Sequence, residues 1–142
     1  MKILEAQSAV LTNVEVYTFL SDQEKQYEKE NRKGPANLET LRKEVLQYFE
    51  ASPGPLSQKP LPYDPAAIPT LFKKLRQYQI SKGEFIMMFN VRPTSIPVLN
   101  TVIEDMEERF SEEKQNEILG IITEVLGQFP EEEENGEEDG AA

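Results

Sequence analysis

An all-α fold is predicted for this chain of 142 residues. Two capping boxes, Thr12 with Glu15 and Ser81 with Glu84, stand directly ahead of apolar residues at helical spacing. No stretch alternates convincingly as a strand would, and Gly34-Pro35 and a Pro-rich stretch divide the helical patterns. Six helices are expected. Two form an N-terminal lobe and four a C-terminal bundle.

Residues 1–11, MKILEAQSAVL, hold Ile3, Leu4, Ala9, Val10 and Leu11 in no clear period. The box at Thr12 starts the first helix near Asn13, with Leu11 and Val16 as its hydrophobic staple. Val16, Phe19 and Leu20 should form its inner face. The strongly polar second half runs to Gly34-Pro35 and should face solvent. Asn37 is read as the cap of a second helix, with Leu38, Leu41, Val45, Leu46 and Phe49 at helical spacing up to Ala51.

Five prolines from Pro53 to Pro65 predict an extended linker or surface loop, because proline has no N–H to donate. Asp64-Pro65 then reads as cap and first turn of a helix carrying Ile68, Leu71, Phe72, Leu75 and Tyr78, with Lys73, Lys74 and Arg76 outward. The box at Ser81 opens a short helix, apolar nearly all round, through Phe85–Phe89. It should be central to the bundle and stop near Asn90, since Arg92 precedes Pro93. Thr94 or Ser95 caps the next helix, with Pro97 in its first turn. Ser111 caps the last, with Glu112 and Glu113 favoured by the helix dipole, an inner stripe of Ile118, Ile121, Ile122 and Val125, and a stop at Gly127. The expected divisions are residues 1–51, a linker 52–63, a bundle 64–129 and a disordered acidic tail 130–142.

The formal charge is −11, and removing the seven acids after Pro130 leaves −4. Such a body is a poor general binder of phosphate backbones. With no His and no Cys, the chain lacks the usual general base and the usual nucleophile and metal-ligand arrangements. No cofactor or metal is expected. Apolar runs stop at five residues, so no membrane span is expected, and the N-terminus lacks a signal-peptide core. The acidic run Glu104, Asp105, Glu107, Glu108, Glu112, Glu113 lacks the alternate spacing of a calcium loop and reads as a solvated helix end. Met87 and Met88 read as core filling, with an adaptable groove as the alternative. Lys73, Lys74, Arg76 and Lys82 are the candidate nucleic-acid contacts. Two helices of roughly 40 residues seldom stabilise themselves, so the N-terminal lobe is completed either by another chain or by packing on the bundle.

Three motifs in order resemble one family. Leu11-Thr12-Asn13-Val14-Glu15-Val16 resembles the opening L-[TS]-N-x-E-V of the small acidic stalk subunit of RNA polymerase III. Ile80-Ser81-Lys82-Gly83-Glu84, followed by Asn90-Val91-Arg92-Pro93, resembles that family's K-A-E helix and N-x-x-P turn. Glu107-Glu108-Arg109-Phe110-Ser111-Glu112-Glu113 resembles its E-E-R-F-[ST]-E-E junction. The resemblance covers about Met1–Leu20 and Asp64–Phe129, and the start MKILEA looks most like fungal members. Gly83 departs from the usual Ala, and the Pro-rich stretch has no family pattern.

The resemblance implies a non-catalytic stalk subunit of nuclear RNA polymerase III, of the archaeal F-like type. Animal members also carry the name of a calcitonin-gene-related-peptide receptor component. It implies a heterodimer with an E-like, β-barrel-containing stalk protein, contacts with the polymerase III core and initiation factors, weak RNA contact, and an HRDC-like C-terminal bundle. Ile3, Leu4, Val10, Leu11, Val14, Tyr17 and Leu20 are the expected partner interface. A free-standing HRDC-type nucleic-acid-binding module is the alternative, and the homologous stalk proteins of polymerases I and II are the nearest confusion.

Overall fold

The computed structural model describes residues 1–129, so the expected acidic tail lies outside the described residues. Among the described residues there are seven α-helices and no strand. They are α1 (Asn13–Lys29), α2 (Ala36–Glu50), α3 (Ala67–Leu75), α4 (Lys82–Val91), α5 (Ile96–Val102), α6 (Met106–Arg109) and α7 (Glu112–Leu126), with 3-10 turns at Pro55–Ser57 and Arg76–Tyr78. The all-α class is borne out. The count is one higher than expected, because the four-residue α6 sits inside the acidic run that carries no helical apolar pattern.

Helix starts follow the local chemistry. Both capping boxes are complete, and the Ser111 hydroxyl accepts from the Lys114 N–H at 3.4 Å. Two starts differ. Pro35, not Asn37, flanks α2, whose first helical residue is Ala36. Asp64 caps a turn rather than a helix: its Oδ1 accepts from the Ala66 N–H at 2.9 Å, and α3 begins at Ala67. Three stops use left-handed residues other than glycine. Asn31, Gln79 and Arg92 follow helical segments, and Asp105 precedes α6, all with φ of 51–53°.

One apolar core runs from the N-terminal helices into the C-terminal ones. α1 packs on α2, α3 on α7, and α5 bridges α4 and α7. Leu71, Leu75, Met88, Phe89, Leu99, Ile103, Ile118, Ile122 and Leu126 are almost wholly buried. Met88 is core as expected, whereas Met87 faces solvent. The Pro-rich stretch is anchored rather than detached: Leu56 and Tyr63 are buried, and the Tyr63 ring meets Phe89 edge-on at 5.3 Å.

Two helices match the expected inner face only in part: Leu20 of α1 and Leu46 and Phe49 of α2 join or pack on the core as expected. In α1 the buried residues are Val14 and Tyr17, while Phe19 is exposed. In α2 they are Arg42 and Leu46, while Leu41 is exposed. Arg42 can sit inside because its guanidinium lies 5.1 Å from the Tyr27 ring centroid and donates to Gln23 Oε1 at 3.3 Å. Its aliphatic stem then fills the space a leucine would take.

Candidate functional site

The capping box at Thr12 sets where the N-terminal segment leaves the body. The Thr12 N–H donates to Glu15 Oε2 at 2.9 Å, and the Glu15 N–H donates to Thr12 Oγ1 at 3.4 Å. The next residue ties the two halves together, since the Asn13 N–H donates to Asn90 Oδ1 at 2.8 Å. An orphan donor at the start of α1 is thus satisfied by a side chain near the end of α4. Val14 closes the joint as part of the core.

Tyr17 adds a polar clamp. Its hydroxyl donates to Glu50 Oε1 at 2.7 Å and accepts from Lys59 Nζ at 2.6 Å, while Lys59 Nζ lies 3.4 Å from Glu50. The Tyr17 hydroxyl, aided by Lys59, holds the Glu50 carboxyl below its ordinary range. The same hydroxyl, with Glu50, pushes the Lys59 ammonium up. The first helix, the end of the second and the Pro-rich stretch are fastened at one point.

The seven residues expected at a partner interface therefore separate. Val14 and Tyr17 are closed against the chain's own core, which takes them out of direct contact with another protein in this conformation. Leu20 is half-buried. Ile3, Leu4, Val10 and Leu11 stay exposed, Leu4 at 88%. No backbone hydrogen bond holds residues 1–11 among the described residues. The first half of α1 adds Phe19, and α2 adds Leu38, Leu41 and Tyr48, to the exposed large apolar side chains. Periodicity counts Phe19, Leu38 and Leu41 as inward. Only the buried Arg42 and Tyr17 reveal that these helices are rotated, and neither residue type announces burial.

The four candidate nucleic-acid cations are all at or near the surface. Lys74 Nζ lies 2.6 Å from Glu124 Oε1, so one of the four is already paired. Lys73, Arg76 and Lys82 remain as a short basic strip on α3, its 3-10 extension and the first residue of α4. Among the described residues no cluster of three or more His, Cys, Asp or Glu side chains could hold a metal ion, and no helix is long and apolar enough to cross a membrane.

Arg92 reads in the sequence only as a pre-proline stop. In the structure it is almost wholly buried, with its guanidinium 4.1 Å from the Phe129 ring centroid and Nη1 donating to the Leu126 carbonyl at 3.3 Å. Burial pulls its pKa down, and Tyr63 opposes this. It joins the end of α4 to the end of α7, where the last carbonyls need donors.

Comparison with known proteins follows the same motifs. The family model described as RNA polymerase Rpb4 matches residues 10–126, from the last residues before α1 to the end of α7. The chain is 32% identical over 140 residues to the protein named DNA-directed RNA polymerase III subunit rpc9 of Schizosaccharomyces pombe, covering 92% of this chain and 100% of that one. It is 23% identical over 158 residues to DNA-directed RNA polymerase III subunit RPC9 of Saccharomyces cerevisiae, covering 87% of this chain and 98% of that one. A match through every helix, together with a relative aligned over its whole length, establishes that the chain belongs to the RNA polymerase Rpb4 family.

Proposed function

We propose that the chain is a non-catalytic stalk subunit of RNA polymerase III, paired with an E-like, β-barrel-containing stalk protein and working in the nucleus. The observation that carries the pairing is the N-terminal segment: Ile3, Leu4, Val10 and Leu11 are exposed directly ahead of an intact capping box. Burying each such side chain is worth about 1.5–3 kcal/mol. Residues 1–11 have no backbone partner within the described chain, so another protein can supply both the apolar cover and the hydrogen bonds. The whole-length similarity to a fission-yeast protein named as a polymerase III subunit supports the assembly.

On this reading α3–α7 form an HRDC-like bundle that faces the polymerase core and initiation factors. RNA contact through Lys73, Lys74, Arg76 and Lys82 is the weaker element, because Lys74 is neutralised by Glu124 and the body is acidic. The same facts weigh against a free-standing nucleic-acid-binding module.

Co-expression with the barrel-containing stalk protein tests the pairing. The wild-type chain should elute as a one-to-one heterodimer, and Ile3→Asp with Leu11→Asp should abolish it. Because both residues are exposed, the double variant should keep its unfolding free energy to within about 0.5 kcal/mol. Heterodimer formation unchanged in that variant would remove the N-terminal segment from the interface.

A further inference from the structure

An apolar cavity of about 370 Å³ lies between the N-terminal segment, α3 and the start of α4. Its walls include Ile68, Leu75, Ile80 and Ile86. Phe72 lines it too, 54% exposed, its ring edge-on to Phe85 with 5.8 Å between centroids. Arg76 and Lys82 also line it. The one acid there, Glu15, already spends Oε2 on the Thr12 N–H. A rim of two cations and one carboxylate, net +1, around an apolar hollow therefore stands out on a chain of net charge −11.

We propose that this cavity is a docking site for a short acidic segment of another protein, anchored by one or two large apolar side chains between Asp or Glu residues. The volume is at the small end of the roughly 300–1,000 Å³ typical of ligand pockets, which suits an anchor side chain rather than a folded surface. Arg76 and Lys82 supply the charge complementarity that would fix register and favour acidic sequences. The chain's own end cannot serve, because Glu131 to Asp139 carry charge without a large apolar residue. A second copy is disfavoured by repulsion between two chains of this charge. Single-stranded nucleic acid would need successive aromatic platforms along a basic groove. Here Phe72 and Phe85 are the aromatic residues of the lining, and they pack on each other.

Fluorescence anisotropy with the full chain tests the site. The probe is a short labelled peptide of leucine and phenylalanine spaced by glutamates. Its controls are the same peptide with lysines in place of glutamates and a deoxythymidine oligonucleotide of equal length. The acidic probe should bind with a Kd in the micromolar range, and Phe72→Asp should weaken it at least about tenfold. Arg76→Glu with Lys82→Glu should turn the preference toward the lysine peptide. All three positions are exposed, so unchanged unfolding midpoints will certify the variants as folded. No binding of the acidic probe, equal binding of the lysine peptide, or binding untouched by Phe72→Asp would overturn the proposal. Tighter binding of the oligonucleotide, lost in Phe72→Asp, would make the cavity a nucleic-acid site instead. Val10 lines the cavity and also belongs to the proposed stalk interface, so each variant is assayed for heterodimer formation too. Loss of the heterodimer together with peptide binding would make the cavity part of that interface and overturn a separate docking site.

Discussion

Arg109 clamps the carboxylate that completes the capping box of α4. Its Nη1 lies 2.8 Å from Glu84 Oε2, while Glu84 Oε1 accepts from the Ser81 N–H at 3.4 Å. The same guanidinium donates to the carbonyls of Glu104 at 2.9 Å and Gln79 at 3.2 Å. Two sequence motifs that lie 25 residues apart are one structural unit. The arginine of the E-E-R-F junction fixes the start of the central helix, and Phe110 beside it packs against Tyr78 with ring centroids 6.4 Å apart.

Glu84 and Arg109 should therefore be energetically coupled. The side chains are 14% and 31% exposed, less wet than an ordinary surface pair. Glu84→Ala and Arg109→Ala should each lower stability by about 1 kcal/mol. The double variant should lose about 0.5 kcal/mol less than the sum. Urea unfolding of the four proteins measures this. Strict additivity would mean that the contact carries no energy.

Acid should weaken the fold through the same group. Burial alone would raise the Glu84 carboxyl, but hydrogen bonds from Arg109 and Ser81 outweigh it and hold the pKa below the ordinary value. Glu50 is also held low, chiefly by the Tyr17 hydroxyl and then by Lys59. A folded pKa below the unfolded one stabilises the fold above the unfolded value of about 4.3. That contribution disappears as pH falls through the folded value. The urea midpoint should drop between about pH 5 and pH 3, and drop less in Glu84→Gln with Glu50→Gln. An equal drop in both proteins would assign the acid sensitivity to other groups.

Asn90 should behave as an acceptor. Asn90→Ala leaves the Asn13 N–H without its partner and should lower stability by about 1–2 kcal/mol. Asn90→Asp keeps an oxygen in place and puts an anion at a helix N-terminus, so it should cost little. Hydrogen exchange of the first-turn amides of α1 should quicken in the alanine variant alone. Equal damage by both substitutions would rule out the acceptor role.

Gly83 should be improvable. A Cβ built there meets nothing within 4 Å, and the residue sits in the first turn of α4. Gly83→Ala should raise stability by about 0.4–1 kcal/mol, largely by restricting the unfolded chain. A lowered urea midpoint would contradict this.

The parts of the fold legible in the sequence are those set by neighbours along the chain. The boxes at Thr12 and Ser81, the cap at Ser111 and the stop at Gly127 each need only a few residues in order. The ends of α2 at Ala51 and of α4 beside Pro93 are legible too, whereas the left-handed conformations of Asn31, Gln79 and Asp105, usually left to glycine, are not. The periodicity of α2 finds Leu46 and Phe49 but misplaces Leu38 and Leu41, because Arg42 is buried in their stead through Tyr27 and Gln23, both on α1. The candidate interface is half legible. Ile3, Leu4, Val10 and Leu11 fit no period and are exposed, whereas Val14 and Tyr17 turn inward because Asn90, Glu50 and Lys59 draw the start of α1 onto the body.

Purification of the chain from native extract, tagged at its C-terminus and washed with rising salt, is the most direct test of the proposed stalk role. Mass spectrometry should recover polymerase III subunits, with the β-barrel-containing stalk protein near one-to-one and retained longest as salt rises. Apolar burial at the N-terminal segment predicts that retention, since salt screens charge and leaves apolar contacts in place. Recovery of the chain alone at moderate salt would contradict the assignment.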